Sequence, residues 1–414
     1  MRCKTLIASF LMVFVVLTGT HSALSGEKVI LDSDMVELFD DGVAMLMLAN
    51  HPKIELLGVT VVAGNQWLQD GLSAGIRQLE FAGLKDVPIV AGARWPMRAG
   101  RYEAVAPPSV TGLEWSGYES KLFGIGEFTY AGAFSSWGHK EPVDPSPELG
   151  WKTVYKANYG EEPKYDLEKN EGGGFRGKYR HASEFIVEMV NKYPDEITIV
   201  AIGPCTNLQM AVMLDPTIIS KVKKVIYMGG AINVAGNTTP AGEFNWWFDP
   251  EAAKFALRTP WGKTALGEDK ITQYVVPLDA CKKLHFTPKE YKKIVNLPGI
   301  APGIKAMFEK KYAAFAAPGS TADSYVWDAI TAGILIGEID NNDIVLPYDE
   351  NLDATGYFDW WIDVDTNYNI DYGRSLGYAN QGPVGTQKVR IVNAVDGDKF
   401  WDLVYAGLDR TRKP

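Results

Sequence analysis

Short apolar segments alternate with amphipathic segments along much of the chain. Residues 28–49 predict an apolar strand, an acidic turn and an apolar helix. Further strands are predicted at residues 54–62, 87–90, 197–202 and 224–228, and further helices at residues 72–82, 182–193 and 207–214. The predicted strands are apolar on both faces, which is typical of strands buried in a parallel sheet. This alternation predicts a three-layer α/β fold with a mostly parallel sheet and right-handed crossovers.

The alternation stops between about residues 107 and 180. This stretch is rich in Gly, Trp and Tyr and lacks a long periodic run, so we interpret it as an insertion that covers a functional site. Beyond it, the pattern predicts a helix near residues 324–336, a strand pair at residues 343–358 and 388–394, and a closing helix at residues 399–408. No linker rich in Pro, Gly or Ser divides residues 26–414, which predicts a single domain.

The first 25 residues have the composition of a secretory signal peptide. A basic start with Arg2 and Lys4 precedes an apolar stretch at residues 6–17, and small residues follow at 22, 23 and 25. We therefore expect an exported protein, either periplasmic or secreted. Cys205 and Cys281 remain after cleavage and are too few for a disulfide framework. We expect two buried thiols, and a single bridge between them is the alternative.

Charge narrows the range of partners. Removal of the signal segment leaves 39 basic and 51 acidic residues, a net charge of −12. Such a chain repels phosphate backbones and anionic membranes, which argues against nucleic acid polymers as partners. No later segment approaches the roughly 20 apolar residues of a membrane span. A small neutral molecule remains compatible with this charge.

Four aspartates lie in the turn between the first strand and the first helix: Asp32, Asp34, Asp40 and Asp41. In an open parallel sheet, the turns at the carboxyl ends of the strands form the ligand crevice. Like charges this close repel one another unless a cation neutralises them, and a hard divalent ion such as Ca²⁺ or Mg²⁺ suits oxygen ligands. The alternative is a solvated acidic loop in which Asp40 or Asp41 caps the following helix.

Several further motifs follow the aspartates in a fixed order: VAGN at 62–65, GPCTN at 203–207, MGGA at 228–231, GN at 236–237, EFN at 243–245 and DPEAA at 249–253. Together with the aspartates, they resemble the nucleoside hydrolases, the family of inosine-uridine and purine-preferring nucleoside N-ribohydrolases. The resemblance spans most of residues 28–337. It implies a Rossmann-like nucleoside hydrolase fold, a small nucleoside as substrate and a homo-oligomer.

The resemblance also implies a Ca²⁺ ion as cofactor and assigns its ligands. Asp34 would be both a metal ligand and the catalytic base that deprotonates a metal-bound water. Asp41 and the backbone carbonyl of Ile202 would be ligands, and Asp328 would complete the coordination sphere. Such chemistry suits the reaction, because a metal ion lowers the pKa of its water and carboxylates stabilise the positive charge that develops on the ribose.

The remaining implied residues bind the sugar and the base. Asp32 would support the loop, and Asp40 would hydrogen-bond a ribose hydroxyl. The ribose hydroxyls would also contact Asn65, Asn237, Glu243 and Asn245. A site built to bind these hydroxyls selects ribose over deoxyribose, because a missing hydroxyl leaves buried polar groups unpaired.

Two features depart from the family pattern. Five residues, 35–39, separate the two aspartate pairs where three are commonest, which leaves open the place of Glu37 and the assignment of Asp40. Trp327 precedes Asp328 where many members carry a histidine that protonates the leaving base. A tryptophan there resembles the purine-preferring branch, in which the purine stacks between aromatic rings and solvent supplies the proton. Trp95 and Trp115 are the candidate stacking partners.

Two other functions are compatible with parts of the sequence. The segment VILDSDMV loosely fits the haloacid dehalogenase phosphatases, with Asp32 as nucleophile and Asp34 as acid and base, but this leaves Asp41, the GPCTN turn and Asp328 unexplained. Alternatively, the longer turn has abolished turnover, and the chain is an exported protein that binds nucleosides or ribosides without cleaving them. The phosphatase would release phosphate from its substrate, whereas the binding protein would leave a bound nucleoside intact.

Overall fold

A nine-stranded sheet forms the centre of the molecule in the computed structural model, which describes residues 26–98, 150–165, 179–262, 270–347, 356–367 and 370–412. The strands are β1 (Glu27–Ser33), β2 (Ile54–Val61), β3 (Ile89–Ala91), β4 (Ile197–Ala201), β5 (Lys224–Met228), β6 (Gln273–Val276), β9 (Tyr357–Val364), β10 (Ser375–Tyr378) and β11 (Gln387–Val392). β7 (His285–Phe286) and β8 (Ser324–Tyr325) form a separate antiparallel pair. The order in the main sheet is β10-β9-β11-β6-β5-β4-β1-β2-β3.

All neighbouring strands from β11 to β3 pair in parallel, and β9 is antiparallel to both of its neighbours. The predicted α/β fold with a mostly parallel sheet is therefore confirmed. Of the predicted strand at residues 343–358, residues 343–347 do not form a strand, residues 357–358 do, and residues 348–355 lie outside the described residues. Val345 forms only an isolated bridge with Val395, and the strand of this region begins at Tyr357.

Helices cover both faces of the sheet. They are α1 (Asp41–Asn50), α2 (Leu68–Ala82), α3 (Gly150–Tyr159), α4 (Ala182–Lys192), α5 (Thr206–Leu214), α6 (Phe244–Phe248), α7 (Pro250–Arg258), α8 (Leu278–Cys281), α9 (Pro288–Val295), α10 (Pro302–Lys311), α11 (Asp328–Ile339) and α12 (Gly397–Leu408). Short 3₁₀ turns occupy Pro216–Lys221, Ala313–Ala316 and Arg410–Arg412. No helix in the described ranges is long and apolar enough to cross a membrane.

Two hydrophobic cores lie on opposite sides of the sheet. Because successive side chains of a strand point to opposite faces, Val29 and Leu31 of β1 belong to one core and Ile30 to the other. The first core includes residues of α1, α2, α11 and α12, and the second includes residues of α4, α5 and α7. This arrangement is the predicted three-layer architecture.

The strand order places a crevice between β1 and β4. The chain runs from β1 outward through β2 and β3, and then returns to add β4 on the other side of β1. The connections after β1 and β4 therefore diverge, and ligands of open α/β sheets bind at this reversal of strand order. The aspartate turn follows β1 and the GPCTN segment follows β4, so both lie at this crevice.

Part of the predicted insertion has regular structure. Residues 150–159 form α3, which packs against α2, and Trp151 is fully buried there. The rest of residues 107–180 is described only at 160–165 and from 179 onward, and the predicted signal segment at 1–25 also lies outside the described residues. Cys205 and Cys281 are both buried free thiols, as predicted.

Candidate active site

Asp32 is held inside β1 by two side chains. One of its oxygens accepts hydrogen bonds from the Thr60 hydroxyl at 2.5 Å and from the Asn207 amide at 2.8 Å. Thr60 lies on β2 and Asn207 on α5, directly after the GPC turn, so Asp32 joins three elements around the crevice. This placement agrees with the supporting role that the resemblance implies.

Asp34 lies where β1 gives way to the acidic turn, and only 1% of its surface is exposed. Its Oδ2 accepts a hydrogen bond from the backbone N–H of Asn65 at 2.7 Å, whereas its Oδ1 has no partner within the described ranges. Two glycines flank it closely. A Cβ on Gly64 would lie 2.2 Å from Asp34 Oδ2, and one on Gly203 would lie 2.7 Å from the Asp34 nitrogen. The VAGN and GPCTN motifs thus supply the space in which this carboxylate sits.

Asp41 is the first residue of α1 and is completely buried. Its Oδ1 accepts a hydrogen bond from the Ser33 hydroxyl at 2.6 Å. Its Oδ2 has no hydrogen-bond partner in the described part of the chain. Asp34 and Asp41 therefore each retain one buried carboxylate oxygen that a bound group can use.

Asp40 caps a helix that lies far away in the sequence. Its Oδ2 accepts hydrogen bonds from the backbone N–H groups of Trp327 and Asp328, and its Oδ1 accepts one from Ala329 at 3.2 Å. These are among the first amides of α11, which lack partners within the helix. Asp40 makes no side-chain capping bond to its own helix, α1. Both of its oxygens thus have amide donors, and its contact with a ribose hydroxyl stays a prediction.

Asp328 opens α11 and is 4% exposed. Burial raises its pKa well above the usual range, and the negative charges of Asp40, Asp41, Asp34 and Glu243 raise it further. Carboxylates from the β1–α1 turn, from the start of α6 and from the start of α11 therefore lie within electrostatic reach of one another. The tertiary structure brings these segments to one crevice.

Ionisation of these buried carboxylates is unfavourable at neutral pH. Burial raises the pKa of Asp41 and Glu243 to about 6 and that of Asp40 to about 7. The pKa of Asp34 is raised well above its usual range, first by burial and then by the charge of Asp41. A bound cation would reverse these shifts because it favours the ionised form of each carboxylate.

The donor chemistry fits a hard divalent cation. Buried, unpaired carboxylate oxygens on Asp34 and Asp41 are the ligands that such ions prefer. Within the described ranges, however, no group of three or more His, Cys, Asp or Glu side chains has the spacing of a metal site. The identity of the ion and the ligand set of Asp34, Asp41, Ile202 and Asp328 therefore stay predictions.

Ile202 and Asn245 are in direct contact. The Asn245 side-chain amide donates a hydrogen bond to the Ile202 carbonyl at 3.0 Å and another to the Met228 carbonyl at 3.2 Å. These carbonyls lie at the carboxyl ends of β4 and β5. Asn245 thus fixes the carbonyl that the resemblance implies as a metal ligand, in addition to its predicted contact with the sugar.

Glu243 caps α6. Its Oε1 accepts a hydrogen bond from the Asn245 backbone N–H at 2.8 Å, and its Oε2 accepts from Gly230 at 2.9 Å and Trp246 at 3.1 Å. This network joins the end of β5 to α6 and holds Asn245 in place. Asn237 is exposed and accepts a hydrogen bond from the Phe244 backbone N–H at 2.9 Å through its side-chain oxygen. The sugar contacts of Asn65, Asn237, Glu243 and Asn245 stay predictions.

Two of the predicted base-binding aromatic residues are described. Trp327 is half-buried at the start of α11, with its ring centroid 6.1 Å from that of Tyr325. Trp95 is 38% exposed and packs edge-on against Trp67 at 6.0 Å. Trp115 lies outside the described residues. Stacking on a purine stays a prediction for all three tryptophans.

The sequence analysis did not identify the side chains that hold the acidic turn. Gln66, Gln78 and Lys311 make hydrogen bonds to backbone groups of residues 35–39. Gln78 and Lys311 lie on amphipathic helices, where a polar residue normally indicates the solvent face. Their sequence positions carry no local signal of this function, because the residues that they bind are 40 or more positions away.

Comparison with known proteins supports a common family. Residues 29–402 match the family model described as inosine-uridine preferring nucleoside hydrolase. The chain is 28% identical over 385 residues to the pyrimidine-specific ribonucleoside hydrolase RihB of Escherichia coli, covering 91% of this chain and 95% of that one. It is 30% identical over 270 residues to uridine nucleosidase 1 of Arabidopsis thaliana, covering 65% of each.

A solved structure shares the fold. The purine-preferring ribonucleoside hydrolase from Gardnerella vaginalis aligns with a TM-score of 0.60 at 19% identity, over 92% of this chain and 98% of that one. At this identity, the likeness concerns the arrangement of helices and strands. It agrees with the sheet and the flanking helices described above.

Proposed function

Because this chain belongs to the inosine-uridine preferring nucleoside hydrolase family, whose members hydrolyse the N-glycosidic bonds of nucleosides, we propose that it is an exported, Ca²⁺-dependent hydrolase of purine ribonucleosides. The observation that supports this reaction is the group of buried carboxylates at the crevice between β1 and β4. Its members repel one another, and two of them retain unpaired oxygens. Such a group suits a reaction in which a cation binds and positive charge develops on the sugar.

Members of the family depend on a metal ion, and the proposed Ca²⁺ would supply positive charge that activates water and binds vicinal hydroxyls. Asp34 and Asp41 would hold the ion through their unpaired oxygens. Asp34 would also take the proton of the attacking water.

The haloacid dehalogenase alternative fits the structure poorly. In that mechanism, Asp32 would be a nucleophile facing the substrate. Instead, one oxygen of Asp32 is held by Thr60 and Asn207, and this mechanism gives no function to the unpaired oxygen of Asp41. The family match also identifies the nucleoside hydrolases.

The preference for purines rests on Trp327. This half-buried tryptophan precedes the predicted ligand Asp328 at the start of α11, where it could stack on a large base. Pyrimidine nucleosides are the second candidate substrates, because two of the relatives named above are described as acting on pyrimidines or uridine. The two candidates differ in one measurable quantity, the kcat/KM ratio between inosine and uridine.

A panel of nucleosides should show faster base release from inosine and guanosine than from uridine and cytidine. Stacking on an aromatic ring favours a purine by about 1 kcal/mol, or roughly tenfold or less in kcat/KM. The 2′-deoxy forms should react about 10- to 100-fold more slowly, because each lost hydrogen bond to a buried group costs about 1–3 kcal/mol. Free base is measured by chromatography for each substrate.

The panel also separates the remaining alternatives. A kcat/KM that favours uridine would replace the purine proposal by the pyrimidine one. Binding of intact nucleoside without any free base after prolonged incubation would identify a binding protein. Phosphate release from nucleotides, with no base release from nucleosides, would favour the phosphatase.

Export is proposed from the first 25 residues, which have the basic start, apolar stretch and small residues of a signal peptide. Cleavage there should yield a mature chain that begins near Gly26 and lies outside the cytoplasm. Amino-terminal sequencing of protein from the extracytoplasmic fraction measures this, and a chain that keeps Met1 in the cytoplasm would contradict it. The homo-oligomer also stays a prediction.

A further inference from the structure

The turn between Asp34 and Asp40 is held by two side chains of the segment that follows β2, one just before α2 and one within it. The Gln66 amide donates a hydrogen bond to the Met35 carbonyl at 2.6 Å. Gln78 is completely buried in α2, where its Oε1 accepts from the Leu38 N–H at 2.7 Å and its Nε2 donates to the Val36 carbonyl at 3.2 Å. The backbone of residues 35–38 is therefore bound on one side by two glutamines.

Helix α10 and the residue after it bind the other end of the turn. Lys311, the last residue of α10, donates hydrogen bonds from its ammonium group to the Glu37 carbonyl and to the Phe39 carbonyl, the latter at 3.1 Å. The buried hydroxyl of Tyr312 donates to the same Phe39 carbonyl at 3.2 Å. Phe39 directly precedes Asp40, so these donors act next to the second aspartate pair.

Lys311 also carries positive charge close to the carboxylates. Burial lowers its pKa to about 8, while the negative charges of Glu37, Asp41 and Asp40 oppose that shift. The side chain is therefore mostly protonated at neutral pH. A charged donor makes stronger hydrogen bonds than a neutral one, so Lys311 is well suited to hold two carbonyls at once.

We propose that Lys311 is a positioning residue, which holds the carbonyls of residues 37 and 39 so that Asp34 and the Asp40–Asp41 pair keep the spacing needed for cation binding and catalysis. This inference rests on the proposed function, since it concerns the same site. The turn here is two residues longer than the commonest form, and a longer turn has more conformations to restrict. Lys311, Tyr312 and Gln78 restrict these conformations by hydrogen-bonding to backbone groups of the turn.

Positioning and charge predict opposite changes in cation affinity. If Lys311 acted only through its charge, its removal would relieve repulsion and tighten the binding of a divalent cation. If it holds the turn, its removal lets the carboxylates move and weakens that binding. A misplacement of about 1 Å in a catalytic group can cost about 100-fold in rate.

The test compares Lys311→Met, which removes the charge and the donors, with Lys311→Gln, which keeps a neutral donor. Lys310→Met is the matched control, because Lys310 is the neighbouring residue on α10 and is exposed. Calcium affinity is measured by calorimetry on protein freed of metal ions, and kcat and KM for inosine are measured separately. Circular dichroism establishes that each variant is folded.

We expect Lys311→Met to lower kcat by about 10- to 100-fold and to weaken Ca²⁺ binding. Lys311→Gln should recover part of both quantities, and Lys310→Met should stay within about twofold of the unmodified protein. The proposal is overturned if Lys311→Met leaves kcat within about twofold, or if both Lys311 variants bind Ca²⁺ more tightly.

A second variant covers the case in which Lys311→Met does not fold. Tyr312→Phe removes one donor to the Phe39 carbonyl and keeps the ring, so it should fold and lower kcat several-fold; an unchanged kcat and an unchanged Ca²⁺ affinity would count against positioning of the turn. Failure of the proposed function would give a different experimental result. In that case the unmodified protein itself releases no base, whereas the Ca²⁺ affinities still report on Lys311.

Discussion

Replacement of Asp34 by asparagine should lower kcat for inosine hydrolysis by at least about 10²- to 10⁴-fold, the range for loss of a general base. Asparagine keeps the size of the side chain, and its carbonyl oxygen can still accept the hydrogen bond from the Asn65 N–H. The variant loses the ability to take up a proton and the negative charge that would hold the cation. Free base measured at saturating inosine gives kcat directly.

The matched control for this variant is Asp402→Asn. Asp402 lies on the exposed face of α12, where its side chain is 74% exposed and 3.6 Å from the Lys293 ammonium. An exposed ion pair of this kind contributes little to stability, so the control should retain full activity. Near-normal kcat in Asp34→Asn, with a normal circular dichroism spectrum, would refute the role of Asp34 as the base.

Removal of divalent ions by a chelator should reduce base release by about 100-fold or more, and Ca²⁺ should restore it. A cation that stabilises developing charge contributes several kcal/mol, and each 1.36 kcal/mol corresponds to a factor of ten in rate. The buried carboxylates at the crevice have the oxygen donors for such an ion. Activity is measured after dialysis against the chelator and after addition of Ca²⁺, Mg²⁺ or Zn²⁺ in separate samples.

The Ca²⁺ concentration that restores half of the activity should be higher at pH 5.5 than at pH 7.5. In the protein without an ion, the pKa of Asp41 lies at about 6 and that of Asp40 at about 7, both above the usual value. As the pH falls through this window, protons occupy the carboxylates and must be released before the cation binds. The Ca²⁺-induced rise in melting temperature should shrink over the same window.

The control samples receive the same amount of chelator, which has been saturated with Ca²⁺ beforehand. They separate the removal of the ion from any direct effect of the chelator on the protein. Full activity after exhaustive chelation would contradict the metal-dependent proposal. Restoration by Zn²⁺ but not by Ca²⁺ would keep a metal site and change the identity of the ion. Equal Ca²⁺ requirements at both pH values would show that the raised carboxylate pKa values do not control binding.

Several features of the fold and the site could be predicted from sequence because their signals are local. Strands β1, β2, β4 and β5 are apolar on both faces, which indicates burial in a parallel sheet regardless of what packs on them. The aspartates directly follow β1, and the GPCTN segment directly follows β4, so the placement of both at carboxyl strand ends follows from the chain order. The glycines of VAGN and GPCTN belong to the same local motifs.

Local signals were weaker in the last third of the chain. The prediction of a strand from residue 343 was wrong at residues 343–347, where Val345 forms only an isolated bridge, and the described strand of this region begins at Tyr357. A short apolar run has the same appearance in a strand as in a buried loop. Pairing with β11 and β10 decides which residues form β9.

The tertiary structure alone shows which groups meet. Asp40 caps α11, 287 or more residues away, although its place before α1 indicates a cap for that nearer helix. Gln78 and Lys311 bind the acidic turn from two different helices. Contacts across such separations depend on strand order and helix packing, which no short stretch of sequence encodes. Local sequence thus specifies the chemical groups of the site. The return of β4 beside β1 brings those groups to one crevice. Local sequence does not show this reversal, because it is a property of the whole sheet.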